Sequence, residues 1–190
     1  SLGSGKLIDP ANTSALVGLS ALHRIAQLTS NSDLPPICTN GNGSFQVLSQ
    51  DVLNHNTLDT ASDASFDPQS AQLAGVTPFS YALGTLDAMS DAGVSANVFV
   101  GHFGAETGFL CDAAEYKNMH TLGASDSIIA QSIFFAMTPN TLLGEELFAM
   151  PAYLGYHATH QASLRVQDIL RLLVGGILIA GSILAGLGVL

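Results

Sequence analysis

Apolar positions along this chain recur at two periods, and the switching between them cuts it into short elements. Ala15, Leu16, Leu19, Leu22, Ile25, Ala26 and Leu28 fall on one helical stripe, with Thr13 or Ser14 as its cap. Turn-formers from Ser30 to Asp33 end that helix. Pro35 and Pro36 exclude a helix interior, while Ile37 and Cys38 suit a short strand. Phe45, Val47, Leu48, Val52 and Leu53 predict a second helix, from Ser44 to Leu58. The acidic, Ser-rich stretch 59–75 predicts a loop, with a short strand at Ala64–Phe66. Pro78 opens a helix carrying Phe79, Ala82, Leu83, Leu86 and Met89. Val94–Val100 is β-branched and aromatic and predicts a strand. Ala105-Glu106 opens a helix running to about His120, and Leu122–Ala124 suits a short strand. Ser125-Asp126-Ser127 caps a helix with Ile128, Ile129, Ile133, Phe134 and Phe135, which Pro139 breaks. A further helix covers Leu142–Met150, where Pro151 ends or kinks it. Short strands alternating with helices predict the α/β class. The expected architecture is a mainly parallel sheet with helices on both faces, Rossmann-like.

The final run, Ile169–Leu190, breaks this pattern. After Arg171 it contains no charged residue, and its length matches a bilayer core of roughly 30 Å at about 1.5 Å per residue. One C-terminal transmembrane helix is predicted. The organisation expected is a linker at 1–12, an α/β domain at 13–160, and a juxtamembrane and transmembrane helix at 161–190. Gly176 and Ala180, then Gly181 and Ala185, are small residues four apart, the spacing that lets helices approach closely in lipid. Arg165 and Arg171 precede the span and no positive residue follows it, so the domain is expected on the cytoplasmic side.

Composition sharpens two points. Charged residues make up 11% of the chain, against about 25% in ordinary proteins. Either the surface is neutral and polar, or neighbouring subunits cover much of it, since interface cores are depleted in charge. The net charge of −10 argues against nucleic acid as a partner. Cys38 and Cys111 form no disulfide framework; two buried thiols are expected, with one disulfide as the alternative. Ser1 is not a methionine, so the chain is expected to be processed or to belong to a longer product.

The best-placed candidate site is Gly101-His102-Phe103-Gly104-Ala105-Glu106, between the strongest strand and a helix. Ligands of open α/β sheets bind at such strand ends. Glu106 repels anions there, so a small ligand with hydroxyls or an amine fits better than a phosphate. The plain alternative is a tight turn with Glu106 as a helix cap. Glu145 and Glu146 stand in an apolar stretch, and at most one of two consecutive helical residues faces a core. Such a carboxylate is expected to be hydrogen-bonded to a backbone turn or paired with Arg165, with acid or base work alongside Glu106 as the functional alternative. The glycines of Asn40–Gly43 leave backbone N–H groups free for an anion, but without a P-loop lysine. His157 and His160 have helix-compatible metal spacing but no third ligand. No nucleophile elbow is present, no metal is expected, and no cofactor is implied.

Val98–Glu106, Leu122–Asp126, Gly144–Ala149 with Ala152-Tyr153-Leu154, and Ser163–Asp168 before an apolar tail resemble an uncharacterised bacterial family of membrane-anchored proteins, a domain of unknown function. The resemblance implies an α/β domain followed by a membrane helix, in a bacterial membrane, with membrane segments before the domain in many members. It places Glu106, Gly144, Glu145, Glu146 and Asp168 in a recurring framework and brings no activity with it. The function expected is a structural scaffold, self-associating into a homo-oligomer. Its partners would be the lipid bilayer, copies of itself and, as a further class, other membrane subunits. The alternative is a membrane-tethered ligand-binding or enzymatic domain working at 101–106.

Overall fold

The computed structural model describes residues 1–3, 13–29, 32, 34–59, 66–91, 93–155 and 158–186. The elements run α1 (Thr13–Leu28), β1 (Cys38–Asn40), α2 (Gly43–Asp59), β2 (Ala71–Leu73), α3 (Pro78–Met89), β3 (Ala96–Gly101), α4 (Thr107–Tyr116), β4 (His120–Ser125), α5 (Ile128–Met137), β5 (Asn140–Leu142), α6 (Glu146–Leu154) and α7 (Ala158–Gly186). The chain forms two compact units, Ser1–Met150 and Pro151–Leu190.

The first unit is α/β with parallel sheets. β1 pairs with β2, and β4 lies between β3 and β5, every pair parallel. Ser1–Gly3 forms a seam between the two sheets. The Leu2 N–H donates to the Thr39 carbonyl and the Gly41 N–H to Gly3; on the other side the Val100 N–H donates to Ser1. The Ser1 nitrogen donates to Val98, and Gly3 bridges His102 in the parallel sense. The linker expected at 1–12 therefore excludes its first three residues; 4–12 lie outside the described residues.

Local chemistry accounts for the helix starts. Pro78 takes the first helical position of α3, where a missing N–H costs nothing, while Thr77 and Ser80 cap each other reciprocally. Two apolar clusters hold the unit. One joins Leu2 to Ala15, Leu19, Leu22 and Ala26 of α1, Phe45 and Leu53 of α2, and Cys38 and Ala71 of β1 and β2. The other joins Tyr81 and Met89 of α3, Phe99 of β3, Leu110 and Cys111 of α4, and Phe134 of α5 to Phe103. At its centre Phe99 stacks on Phe134 at 5.9 Å, and Phe103 meets both edge-on. Gly123 of β4, the register partner of Phe99, is where the Phe134 ring lies; any side chain there would collide with it.

Several boundaries differ from expectation. Residues 64 and 65 lie outside the described set and Phe66 is irregular; the strand of that region is Ala71–Leu73. α4 stops at Tyr116 because Asn118 takes a left-handed conformation, φ 53°. His120, expected to close that helix, instead opens β4, which has six residues rather than three. Asn140–Leu142, read as a breaker followed by a helix, is β5. α6 starts at Glu146 and carries Pro151 inside it.

In the second unit α7 is a 29-residue helix. Its stretch Arg165–Gly186, 22 residues with mean hydropathy 2.1, is long and apolar enough to cross a membrane. Leu172, Ile177, Leu178 and Ile183 are exposed.

Candidate functional site

The C-terminal ends of β3 and β4 and the seam bring together three side chains from separate segments. His102 follows β3, Asp126 follows β4, and Ser14 sits in the first turn of α1. The His102 Nδ1 lies 2.8 Å from Asp126 Oδ1, and the Ser14 hydroxyl donates to Asp126 Oδ2 at 3.0 Å. Each carboxylate oxygen thus has one partner. Ser14 is buried, while the side chains of Asp126 and His102 are 18% and 45% exposed. A carboxylate only accepts, so the proton of a neutral His102 sits on Nδ1, and Nε2 offers a lone pair.

Backbone shape sets this arrangement. Gly3 and Gly101 have φ of +71° and +143°. A side chain at Gly3 would strike the His102 carbonyl, and one at Gly101 would strike that of Leu2. The pair therefore lets seam and strand pass closely just beneath His102.

Of the expected site residues, Gly101 and His102 lie at this edge. Gly104 and Glu106 lock each other instead. The Gly104 N–H donates to Glu106 Oε1 at 2.8 Å, and the Thr107 hydroxyl donates to the Gly104 carbonyl at 2.7 Å. Glu106 is buried, so its carboxylate fixes the turn. Glu145 and Glu146 are both exposed, and neither faces the core. Glu146 accepts the Leu143 N–H at 3.4 Å, holding the turn that opens α6. They follow β5, two strands from β3 and so on the order of 10 Å away across the sheet.

At 40–43 the N–H groups read as anion donors are partly committed: Gly41 donates to Gly3, and Ser44 to the Asn42 side chain. Asn40 is buried, accepting from Ser49 and donating to Gln72. Both cysteines are free and buried, so the disulfide alternative falls. Burial pushes the Cys38 thiol up and the Cys111 thiol up to about 11, away from thiolate chemistry. His157 and the side chain of His160 lie outside the described residues; no group of three metal-ligating side chains occurs among the described ones. A shallow cavity of about 290 Å³, lined in part by Cys111, Asn118, Thr121 and Pro139, lies at the opposite ends of β4 and β5. In α7, a Cβ built at Gly176 or Gly181 meets open space, and Ala180 and Ala185 are exposed.

In the sequence Ser14 stands out only as a helix cap, and Asp126 as a cap and as the end of the stretch Leu122–Asp126. Asp126 directly follows the end of a strand, and Ser14 opens a helix after the predicted linker. Those positions were the available signal.

Taken together, the fold defines a parallel-sheet α/β domain with a polar cluster on its C-terminal strand ends, joined to an apolar helix of membrane-spanning length. The chain belongs to the family described as a domain of unknown function, DUF6754, whose model matches residues 6–190. No curated protein and no solved structure matches it.

Proposed function

We propose that this chain is a membrane-tethered, doubly wound α/β domain that binds a small hydroxylated or amine-bearing ligand at His102, Asp126 and Ser14. The neighbour order β2, β1, Ser1–Gly3, β3, β4, β5 supports the Rossmann-like reading. With the seam as first strand, it is the 3-2-1-4-5-6 order of dinucleotide-binding folds. Separate cores built on α1–α2 and on α3–α5 support helices on both faces. In that order, the strand sequence reverses between the seam and β3, where ligands of such folds bind.

The observation that carries the proposal is the convergence of His102, Asp126 and Ser14 at this reversal. Asp126 fixes the imidazole, and the lone pair on Nε2 accepts a hydrogen bond from the ligand. Its described side chains are an imidazole, a carboxylate and a hydroxyl, which suit a hydrogen-bond donor and repel a phosphate. The test is a thermal-shift panel of polyols, nucleosides and small amines on the full chain in detergent. The expected result is a compound that raises the melting temperature, with the rise lost in His102→Ala and in Asp126→Asn. A panel without shifts, or shifts indifferent to both variants, sinks the idea.

A second reading makes the chain a homo-oligomeric scaffold. The exposed small residues of α7 and the charge-poor domain favour it. Replacing Gly176 and Gly181 by Leu should preserve membrane insertion and weaken assembly in native gels; undiminished assembly leaves the tail as an anchor alone.

A further inference from the structure

Three helices of the first unit expose apolar side chains where outer helical faces are ordinarily polar. We infer that the face formed by α3, α4 and α5 docks a second copy of this chain.

α5 is the clearest case. It contains no charged residue. One side buries Ala130 and Phe134, yet the opposite side carries Ile128, Ile129 and Phe135 into solvent. An amphipathic surface helix places polar residues there, and a helix apolar all round belongs inside something larger. α3 contributes Phe79 and Leu83, and α4 contributes Phe109. These six side chains are each between 58% and 79% exposed. The Phe79 and Phe109 rings meet edge-on at 6.1 Å, joining the apolar surfaces of α3 and α4. α4 packs against α5 on its other side, so the face runs across all three helices.

Area and charge choose the occupant. The exposed parts of the six side chains come to roughly 600 Å² of apolar surface. That is at the top of the patch sizes monomers ordinarily show, about 300–600 Å². A standard interface covers about 800 Å² per partner, somewhat more than half of it apolar, so this face supplies the apolar share of a stable dimer. A lipid surface fits poorly. Helices lying on bilayers carry Lys and Arg around the apolar face, and α3, α4 and α5 contain neither. Their charged residues are Asp87, Asp112 and Glu115, which anionic headgroups repel. Copies of the chain, by contrast, are brought together when α7 holds them in one bilayer, which raises their effective concentration. That last argument rests on the tethering proposed above.

The test uses the full chain in membranes. Phe109→Cys and Phe135→Cys are treated with a short bis-maleimide, with Val47→Cys on α2 as the control; native Cys38 and Cys111 are buried. The expected product is a species at twice the chain's 19.6 kDa from either face variant and not from the control. In the Phe135→Cys background, Ile129→Asp combined with Phe109→Asp should cut that dimer at least tenfold while the circular-dichroism melt is retained. Equal cross-linking at Val47→Cys, an adduct of another mass, or a dimer indifferent to the aspartates overturns the inference. Carbonate extraction of the same membranes separates the two claims. A chain that pellets yet stays monomeric refutes this interface, and one that is extracted yet dimeric refutes only the tether.

Discussion

Gly101 and Gly3 hold backbone conformations that L side chains rarely adopt, and each sits where a Cβ would meet the other strand's carbonyl. Gly101→Ala is expected to cost about 2–4 kcal/mol, as left-handed strain and overpacking combine; a chemical-denaturation midpoint on the full chain measures it. The Tyr81 hydroxyl accepts the Gly3 N–H at 3.2 Å within the buried seam. Tyr81→Phe strands that donor and should cost about 1–3 kcal/mol without altering the far-ultraviolet spectrum. Cys111 tests burial by pH. Its thiol ionises near 9 when unfolded and at about 11 when folded, because burial disfavours the thiolate. The folded state therefore binds the proton more tightly. The stabilisation is complete below pH 9 and is lost as pH rises towards 11. Burial raises Cys38 and Tyr81 in the same direction. Stability should thus fall with alkali across pH 9–11, and Cys111→Ala should shallow that fall. An unchanged slope would show that Cys111 is not among its causes.

At the scale of elements, the sequence disclosed long periodic segments well and three-residue strands poorly. α1 and α3 carry full apolar stripes, and both fall where periodicity puts them. β2 and β5 have three residues each, too few to display a period of two. β5 directly follows a proline and β2 follows a Ser-rich loop, both of which argue locally for irregular chain. Tertiary pairing decides these strands. The site was half legible for a related reason. Gly101 and His102 follow an obvious strand, whereas Ser14 and Asp126 are residue types that capping alone explains. Three of the stretches that carried the family resemblance, 98–106, 122–126 and 144–149, lie on or just beyond the C-terminal ends of β3, β4 and β5. Within α7, Leu178→Arg places a charge near the middle of the apolar stretch and should cost about 2.5–3.5 kcal/mol of insertion. Carbonate extraction should then release more of the chain.

The whole molecule combines an unusually low charge density with two distinct apolar centres. One of these centres is built on stacked and edge-on aromatic rings. Phe134→Ala should cost about 3–5 kcal/mol, since the ring fills the space that Gly123 leaves and touches Phe99 and Phe103. Loss of that much should unfold the first unit near physiological temperature, visible as loss of near-ultraviolet dichroism. The seam has a bearing on biosynthesis. Ser1 reaches its partner Val98 across 97 residues. A ribosome adding about 5–20 residues per second leaves that first segment waiting roughly 5–20 s for its second neighbour. During that interval one edge of the nascent chain is open to any strand, so this is the window in which a chaperone, or a sister chain on the same message, would meet it.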